Sequence, residues 1–256
     1  MKIDGARIVV TGAAGGIGAA LARRFAQEGA RAVVVSDIQD PLEDVAAEIG
    51  GTAIRCDVRD PAAVEQLIDR TEQEHGPIDL FCSNAGVGVL GGPEVTDDGW
   101  QLSFDVNVMA HVYAARVLVP RMTGRGGGYL LQTASAAGLL TQLGSAPYAV
   151  SKHAAVALAE WLAITYGDQG LKVSVLAPQA VRTAMTAHAP NGGVAGVDGM
   201  IEPEDVAEAV VQGLEREDFL ILPHPQVLEY MQRKTADYDR WLSGMRRLQL
   251  RFTQPM

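Results

Sequence analysis

The sequence predicts a single α/β domain built on a doubly wound parallel sheet with helices on both faces. Three observations lead there. Short β-rich apolar runs alternate along the chain with stretches of helical periodicity. Several of those runs finish in a glycine or a carboxylate at the C-terminal end, the edge where such sheets hold ligands. The first run, Arg7-Ile-Val-Val-Thr11, empties into Gly12-Ala-Ala-Gly-Gly-Ile-Gly18 ahead of an Ala- and Leu-rich helix reaching about Glu28. Strand, glycine turn and helix in that order make the sheet Rossmann-type.

Taken in order, the glycine turn comes first. Gly12, Gly16, Ile17 and Gly18 let backbone N–H groups approach a pyrophosphate, and the helix N-terminus adds its partial positive charge. The next strand, Ala32-Val-Val-Val-Ser-Asp37, ends in a carboxylate 25 residues after Gly12, where the adenosine ribose of a dinucleotide would lie. Asp37 can accept from both ribose hydroxyls and would repel a 2′-phosphate. No Lys or Arg occurs from Gly12 to Gly18 or from Val33 to Asp40 to neutralise one, so NAD is expected over NADP. The plainer reading of Asp37 is a turn with Asp40 and Pro41.

Thr52 to Val58 gives a third strand, and Pro61 to about His75 an amphipathic helix with Val64, Leu67 and Ile68 on one side. Asp57 at that strand's end can reach an adenine amino group or form a turn. Ile78 to Ser83 is a fourth strand closing in Asn84-Ala85-Gly86. A helix from about Asp98 carries Asn107 in its middle, a polar side chain among apolar neighbours that requires a partner. Gly126 to Thr133 leads through a fifth strand to Ser135 and the apolar run Ala136 to Leu140. A helix from Ser145 to Tyr166 follows, then a strand from Lys172 to Leu176 and Pro178.

The long helix opens with Ser145-Ala-Pro-Tyr-Ala-Val-Ser-Lys152. Pro147 belongs in the first turn, where its missing N–H costs nothing, and Ser145 is placed to cap it. Tyr148 and Lys152 then project from one face. An ammonium beside a phenol favours the phenolate and pulls its pKa down, as a general acid/base requires. Ser135, thirteen residues before Tyr148, supplies a hydroxyl that can hold a substrate oxygen. Spacing alone is weak support, because Tyr230 and Lys234 form a second such pair. Thirteen residues before Tyr230 stands Glu217, with no serine or glycine turn nearby, so that pair reads as an exposed or interface helix face.

Composition narrows the rest. The chain has 256 residues, 48% of them hydrophobic, with no apolar run that reads as a membrane span. Lys and Arg total 21 against 31 Asp and Glu, a net charge of -10 that disfavours nucleic acid and anionic lipid. Cys56 and Cys82 match no zinc motif, the five histidines show no ligand spacing, and no metal site is expected. The two cysteines read as small buried thiols. With no signal peptide in sight, a reducing cytoplasm is the expected location.

Jointly, Thr11-Gly12-x-x-x-Gly16-x-Gly18, Asp57, Asn84-Ala85-Gly86, Asn107, Ser135, Tyr148-x-x-x-Lys152, and Pro178 with Thr183 resemble the short-chain dehydrogenase/reductase family over about residues 5 to 183. The resemblance implies a catalytic tetrad of Asn107, Ser135, Tyr148 and Lys152. Lys152 would also hold the nicotinamide ribose, and Asn107 would help hold a water linking Lys152 to solvent. Asp57 and Val58 would border the adenine, Asn84 to Gly86 would line the cofactor cleft with Pro178, and Val181 and Thr183 would hold the carboxamide. Homodimers or homotetramers formed through the two long helices are also implied.

Two departures from the family pattern stand out. Gln179 replaces the usual glycine after Pro178, and Phe219 to Leu222 runs into Pro223-His224-Pro225 and a helical tail. Residues 1–225 thus read as the dinucleotide-binding and catalytic unit, with a glycine-rich substrate loop at about 184–202, and residues 226–256 as a helical extension. The tail's Tyr230, Trp241, Met245, Leu248 and Phe252 imply packing on a neighbouring subunit, over the active-site mouth, or on its own domain.

Residues expected to face substrate are Val87, Ala136, Ala137, Leu140, Leu143, Gln179, Ala180 and Met185, mostly apolar. The expected activity is NAD-dependent interconversion of an apolar secondary alcohol and a ketone. Two alternatives remain open: reduction of a 3-oxoacyl thioester on the same fold, and a non-catalytic NAD-binding sensor or scaffold. Hydrolysis by a nucleophilic serine is set aside because no Gly-x-Ser-x-Gly elbow is present.

Overall fold

The computed structural model describes residues 1–189 and 191–253. Pro190 of the expected substrate loop and residues 254–256 of the expected tail lie outside the described residues. Seven parallel strands form one sheet in the order β3-β2-β1-β4-β5-β6-β7, the doubly wound arrangement that the sequence predicts. They are β1 (Arg7–Thr11), β2 (Ala32–Asp37), β3 (Thr52–Arg55), β4 (Leu80–Ser83), β5 (Gly128–Thr133), β6 (Leu171–Leu176) and β7 (Leu220–Ile221).

Burial on both faces explains their continuous apolar character. Ile8, Val10, Val33 and Val35 point into the cluster shared with α1 (Gly16–Gln27), α2 (Leu42–Ile49) and α8 (Pro203–Arg216). Val9, Val34, Ile54 and Phe81 alternate with them toward α3 (Pro61–His75), α5 (Ala110–Gly124) and α7 (Ala146–Tyr166). Helix α2, which the reading of the sequence passes over, is only eight residues long, and Leu42, Val45 and Ala46 anchor it to the sheet.

Local signals set the helix ends. Asp60 caps α3 by accepting from the Ala62 N–H at 2.9 Å, with Pro61 in the first turn and Gly76 at φ 93° after the last. Thr96 caps α4 (Asp97–Phe104) by accepting from the Gly99 N–H. Ser145 occupies the N-cap of α7 but does not cap it. Its hydroxyl donates instead to the Val89 carbonyl at 2.6 Å, tying the helix start to the loop after β4.

Helix α4 runs through a π-helical turn, Asp105–Met109, into α5. The combined Asp97–Gly124 helix spans 28 residues and is long and apolar enough to cross a membrane by length and composition alone, a test that a core helix also meets. Here its apolar face is spent on the second core cluster.

The tail packs on its own domain. Helix α9 (Gln226–Ala236) sets fully buried Val227 against Ala136 and Leu140, with Tyr230, Met231 and Trp241 beside them. Helix α10 (Tyr238–Thr253) keeps Tyr238, Leu242, Leu250 and Phe252 exposed.

Candidate active site

The glycine turn sits where strand β1 hands over to α1, and its shape requires glycine at two positions. A Cβ on Gly12 would come within 2.7 Å of the Ala85 Cα, and one on Gly18 within 2.1 Å of the Gly12 carbonyl oxygen. Asn84 stitches this turn to the sheet centre. Its amide donates to the Thr11 and Gly12 carbonyls at 3.0 and 3.3 Å and accepts from the Thr133 hydroxyl at 3.2 Å. The Thr11 hydroxyl accepts from the Asn84 and Ala85 N–H groups.

These residues fit a dinucleotide. Helix α1 begins at Gly16 with no side chain capping its first turn, and a Cβ at Gly15 would meet open space, so donors and room coincide. Thr183 closes one side, its methyl lying 3.1 Å from where a Gly16 Cβ would be. Val181 is buried beside it and pairs with Ile201. A cavity of about 560 Å³ is lined by Gly16 and Thr183 and not by Tyr148; Arg23 and Arg182 on its wall are held by Glu48 and Glu202.

At the other end, Asp37 forms the expected turn and also reaches the glycine loop. Its Oδ1 accepts from the Ile38 and Gln39 N–H groups, forming the turn, while Oδ2 accepts from Ala14 N–H at 3.1 Å and so faces the glycine loop. Arg55, distant in sequence, is placed by β3 in register with Asp37. Its guanidinium donates to the Ile38 carbonyl and is occupied by Asp40 and Glu43. Asp57 is bound by Arg59 through both oxygens, at 2.6 to 3.1 Å, which holds its carboxyl below the usual range. Val58 packs half-buried beside it.

The tetrad residues meet under the C-terminal ends of β4 and β5. Asn107 is fully buried in the π turn, a form that recurs at functional sites. Its amide clamps Val87, accepting from the N–H and donating to the carbonyl, each at 2.9 Å, and donates to the Ser151 hydroxyl at 3.0 Å. Lys152, 2% exposed, donates to the Thr133 carbonyl at 2.8 Å. A Cβ on Gly86 would stand 3.4 Å from both Asn107 Oδ1 and Lys152 Nζ, so these two buried groups lie on either side of Gly86.

Lys152 Nζ lies 5.7 Å from the centre of the Tyr148 ring. The Ser135 hydroxyl faces the Tyr148 phenol and lowers its pKa, but burial is the larger influence and pushes it above the ordinary value. The expected lowering of Tyr148 by Lys152 is therefore not what this geometry gives. Burial acts on Lys152 as well, bringing it down to about 8. Behind it, His111 is buried and pushed down to about 3 by burial and by the Lys152 charge. His111 shares the face of Asn107, four residues on, a proximity that helical spacing could have indicated.

The expected substrate-facing residues divide. Val87, Leu143 and Gln179 are half-buried, and Met185 is exposed near Gly88. Ala136, Ala137, Leu140 and Ala180 are buried, and Ala136 and Leu140 are covered by Val227 of the tail, so they do not face an open cleft. Exposed Leu90 and Val197 add to the apolar surface of the neighbouring loops. The pair Tyr230 and Lys234 lies outside this site: the Tyr230 hydroxyl donates to Asp198 and the Lys234 ammonium to the Leu139 carbonyl.

With that geometry in view, comparison with known proteins is decisive. The family model for short chain dehydrogenase matches residues 6–192. The chain belongs to the short-chain dehydrogenase/reductase family. Among its relatives, 1-deoxy-11-beta-hydroxypentalenate dehydrogenase of Streptomyces exfoliatus is 42% identical over 233 residues, covering 86% of this chain and 84% of that protein. The mitochondrial borneol dehydrogenase of Lavandula x intermedia is 34% identical over 223 residues, with 82% and 83% covered. The crystal structure of a short chain dehydrogenase/reductase from Burkholderia phymatum in complex with NAD superposes with a TM-score of 0.86 at 28% identity, covering 100% of this chain and 99% of that one. A 3-ketoacyl-(acyl-carrier-protein) reductase from Brucella melitensis complexed with NADH gives 0.78 at 25% identity, covering 86% and 96%. This short-chain dehydrogenase/reductase is thus matched along its whole length, tail included, by the Burkholderia structure.

Proposed function

We propose that this enzyme interconverts an apolar secondary alcohol and its ketone, with NAD as cofactor. The observation that carries the reading is the convergence of the Ser135 hydroxyl, the Tyr148 phenol and the buried Lys152 ammonium, with Lys152 and Asn107 both next to Gly86. NAD supplies the hydride acceptor when bound, held by the glycine turn, Asp37 and Thr183. Ser135 orients the substrate oxygen, the Tyr148 phenolate accepts the hydroxyl proton as the carbon–oxygen double bond forms, and the Lys152 ammonium, 5.7 Å from the ring centre, supplies positive charge beside that phenolate. In the reverse direction Tyr148 returns the proton. Because burial raises Tyr148, oxidation should accelerate with rising pH until Lys152 begins to lose its charge near 8.

The relatives are named as dehydrogenases of a hydroxypentalenate and of borneol, and the half-buried or exposed Val87, Leu143, Met185 and Leu90 suit a largely apolar alcohol. Val150, Trp161 and Ile164 on α7 are exposed, which supports assembly of copies through the long helices.

The test is a screen for NADH fluorescence with borneol, cyclohexanol, 1-phenylethanol and a hydroxysteroid, run with NAD and with NADP, and with acetoacetyl-CoA plus NADH in the reverse direction. Oxidation of at least one alcohol with NAD is expected; turnover of the thioester alone would favour the reductase reading, and no turnover at all the sensor reading. Asp37→Ala should raise KM for NAD by about tenfold and narrow its advantage over NADP, consistent with losing two charge-assisted hydrogen bonds. An unchanged cofactor ratio would remove Asp37 from the site.

A further inference from the structure

The two places where the sequence departs from its family's pattern are bonded to each other. The Gln179 N–H donates to His224 Nδ1 at 3.1 Å. A main-chain N–H can only donate, so Nδ1 is the unprotonated nitrogen and the ring proton resides on Nε2. His224 is 3% exposed, and burial lowers its pKa, which keeps the ring neutral and this tautomer in place.

The opposite edge of the same peptide reaches the serine. The Pro178 carbonyl accepts from Ser135 Oγ at 3.3 Å and from the Ala136 N–H at 2.8 Å. Carbonyl and N–H of one planar unit cannot turn independently. Rotating the Pro178–Gln179 peptide away from His224 therefore also swings its oxygen away from Ser135.

Ser135 Oγ also faces the Tyr148 phenol. It accepts from the Ala137 N–H at 3.1 Å, and its proton is directed by the Pro178 carbonyl. His224 is in turn braced by the tail: its carbonyl accepts from Val227 N–H at 3.1 Å, and Val227 is packed on Ala136 and Leu140, just after the serine.

We propose that His224 is a positioning residue which, through the Pro178–Gln179 peptide, sets the orientation of the Ser135 hydroxyl and couples the C-terminal tail to the active site. This rests on the reading of Ser135 as the group that holds the substrate oxygen. Protonating Nδ1 would set N–H against N–H and break the link. The charged or titratable groups facing His224 are Asp198, whose carboxylate opposes the effect of burial, and Tyr230 of α9, which is bonded to Asp198.

Three variants, assayed with NAD and the best alcohol of the screen, test the proposal: His224→Asn, His224→Gln and His224→Ala. The Asn carbonyl can occupy the place of Nδ1, whereas Gln matches the ring's reach and volume better but puts its oxygen too far out. The Gln and Ala variants should lose about tenfold in kcat, the worth of one oriented hydrogen bond, with KM for NAD nearly unchanged; Tm should fall for Ala, which empties a buried site, and much less for Gln. The Asn variant should keep kcat within about threefold and lose any acid-side fall in rate due to His224, since Asn does not titrate.

Equal activity of the Asn and Gln variants, or losses that follow Tm, would make His224 a packing residue and overturn the proposal. If the Gln and Ala variants fail to fold, the Asn variant decides: retained kcat with a flattened acid limb supports the link, and an unchanged limb or lost kcat refutes it. A wild-type chain that oxidises no alcohol would instead count against the functional reading.

Discussion

Tyr148 and Lys152 stand four apart on α7, and Tyr230 and Lys234 stand four apart on α9, yet the two pairs have different surroundings. In the first, the lysine is buried and 5.7 Å from its own tyrosine ring, and the tyrosine faces the Ser135 hydroxyl. In the second, Lys234 lies 5.7 Å from the ring of Tyr238, on the next helix, while Arg233 covers Tyr230. Burial raises both tyrosines, but the remaining influences oppose each other. Ser135 pulls Tyr148 back down; Asp198, bonded to the Tyr230 hydroxyl, pushes that phenol further up and away from any role as a base. Spacing puts two side chains on one face of a helix, and only the surroundings make them a proton-transfer pair.

The largest expected effect separates the pairs outright. Tyr148→Phe should lower kcat by about 10²-fold or more, the range of general acid/base contributions, with NAD affinity unchanged by fluorescence titration. Tyr230→Phe should leave kcat within about twofold. Comparable losses in both would erase the distinction.

The next effect concerns stability. The folded pKa of Lys152, about 8, lies below its ordinary 10.5, so between those values the unfolded chain binds more protons and stability rises with pH. Urea unfolding of the chain without cofactor should show a rise on the order of 3 kcal/mol across that window, absent in Lys152→Met. The direction for Lys234 is the same, also from burial, but the rise removed by Lys234→Met should be the smaller one. A rise that persists in Lys152→Met would assign it elsewhere.

The smallest effect is local. Lys234 donates to the Leu139 carbonyl at 2.7 Å, at the end of the short α6 helix (Ala137–Leu140). Lys234→Met should cost about 1 kcal/mol by chemical denaturation, the net worth of a single hydrogen bond, with kcat nearly constant. A tenfold fall in kcat would show that α9 acts on the site through α6 and would sharpen the case for a tail coupled to catalysis.

Much of this was legible beforehand because it depends on neighbours in sequence. The strand, glycine turn and helix around Gly12 to Gly18 follow from local sterics, and α3 begins and ends where Asp60, Pro61 and Gly76 place its boundaries. Helix α2 does not stand out in the sequence because eight residues carry too few periods, and its three buried side chains acquire meaning only against the sheet. Local pattern points to Ser145 as the cap of α7, yet its hydroxyl serves the Val89 carbonyl, an acceptor that the fold brings from 56 residues away.

The sequence by itself determined the order of elements, the glycine-lined turn and the face that carries Tyr148 and Lys152, because each is fixed by torsional preference and periodicity within a few residues. Tertiary structure alone decided which charges meet and which stay covered: Arg55 brought beside Asp37 by strand register, Ala136 and Leu140 closed over by Val227, and His224 joined to Gln179 across 45 residues. Burial and hydrogen bonding between distant segments depend on how the layers pack, and no local pattern encodes that.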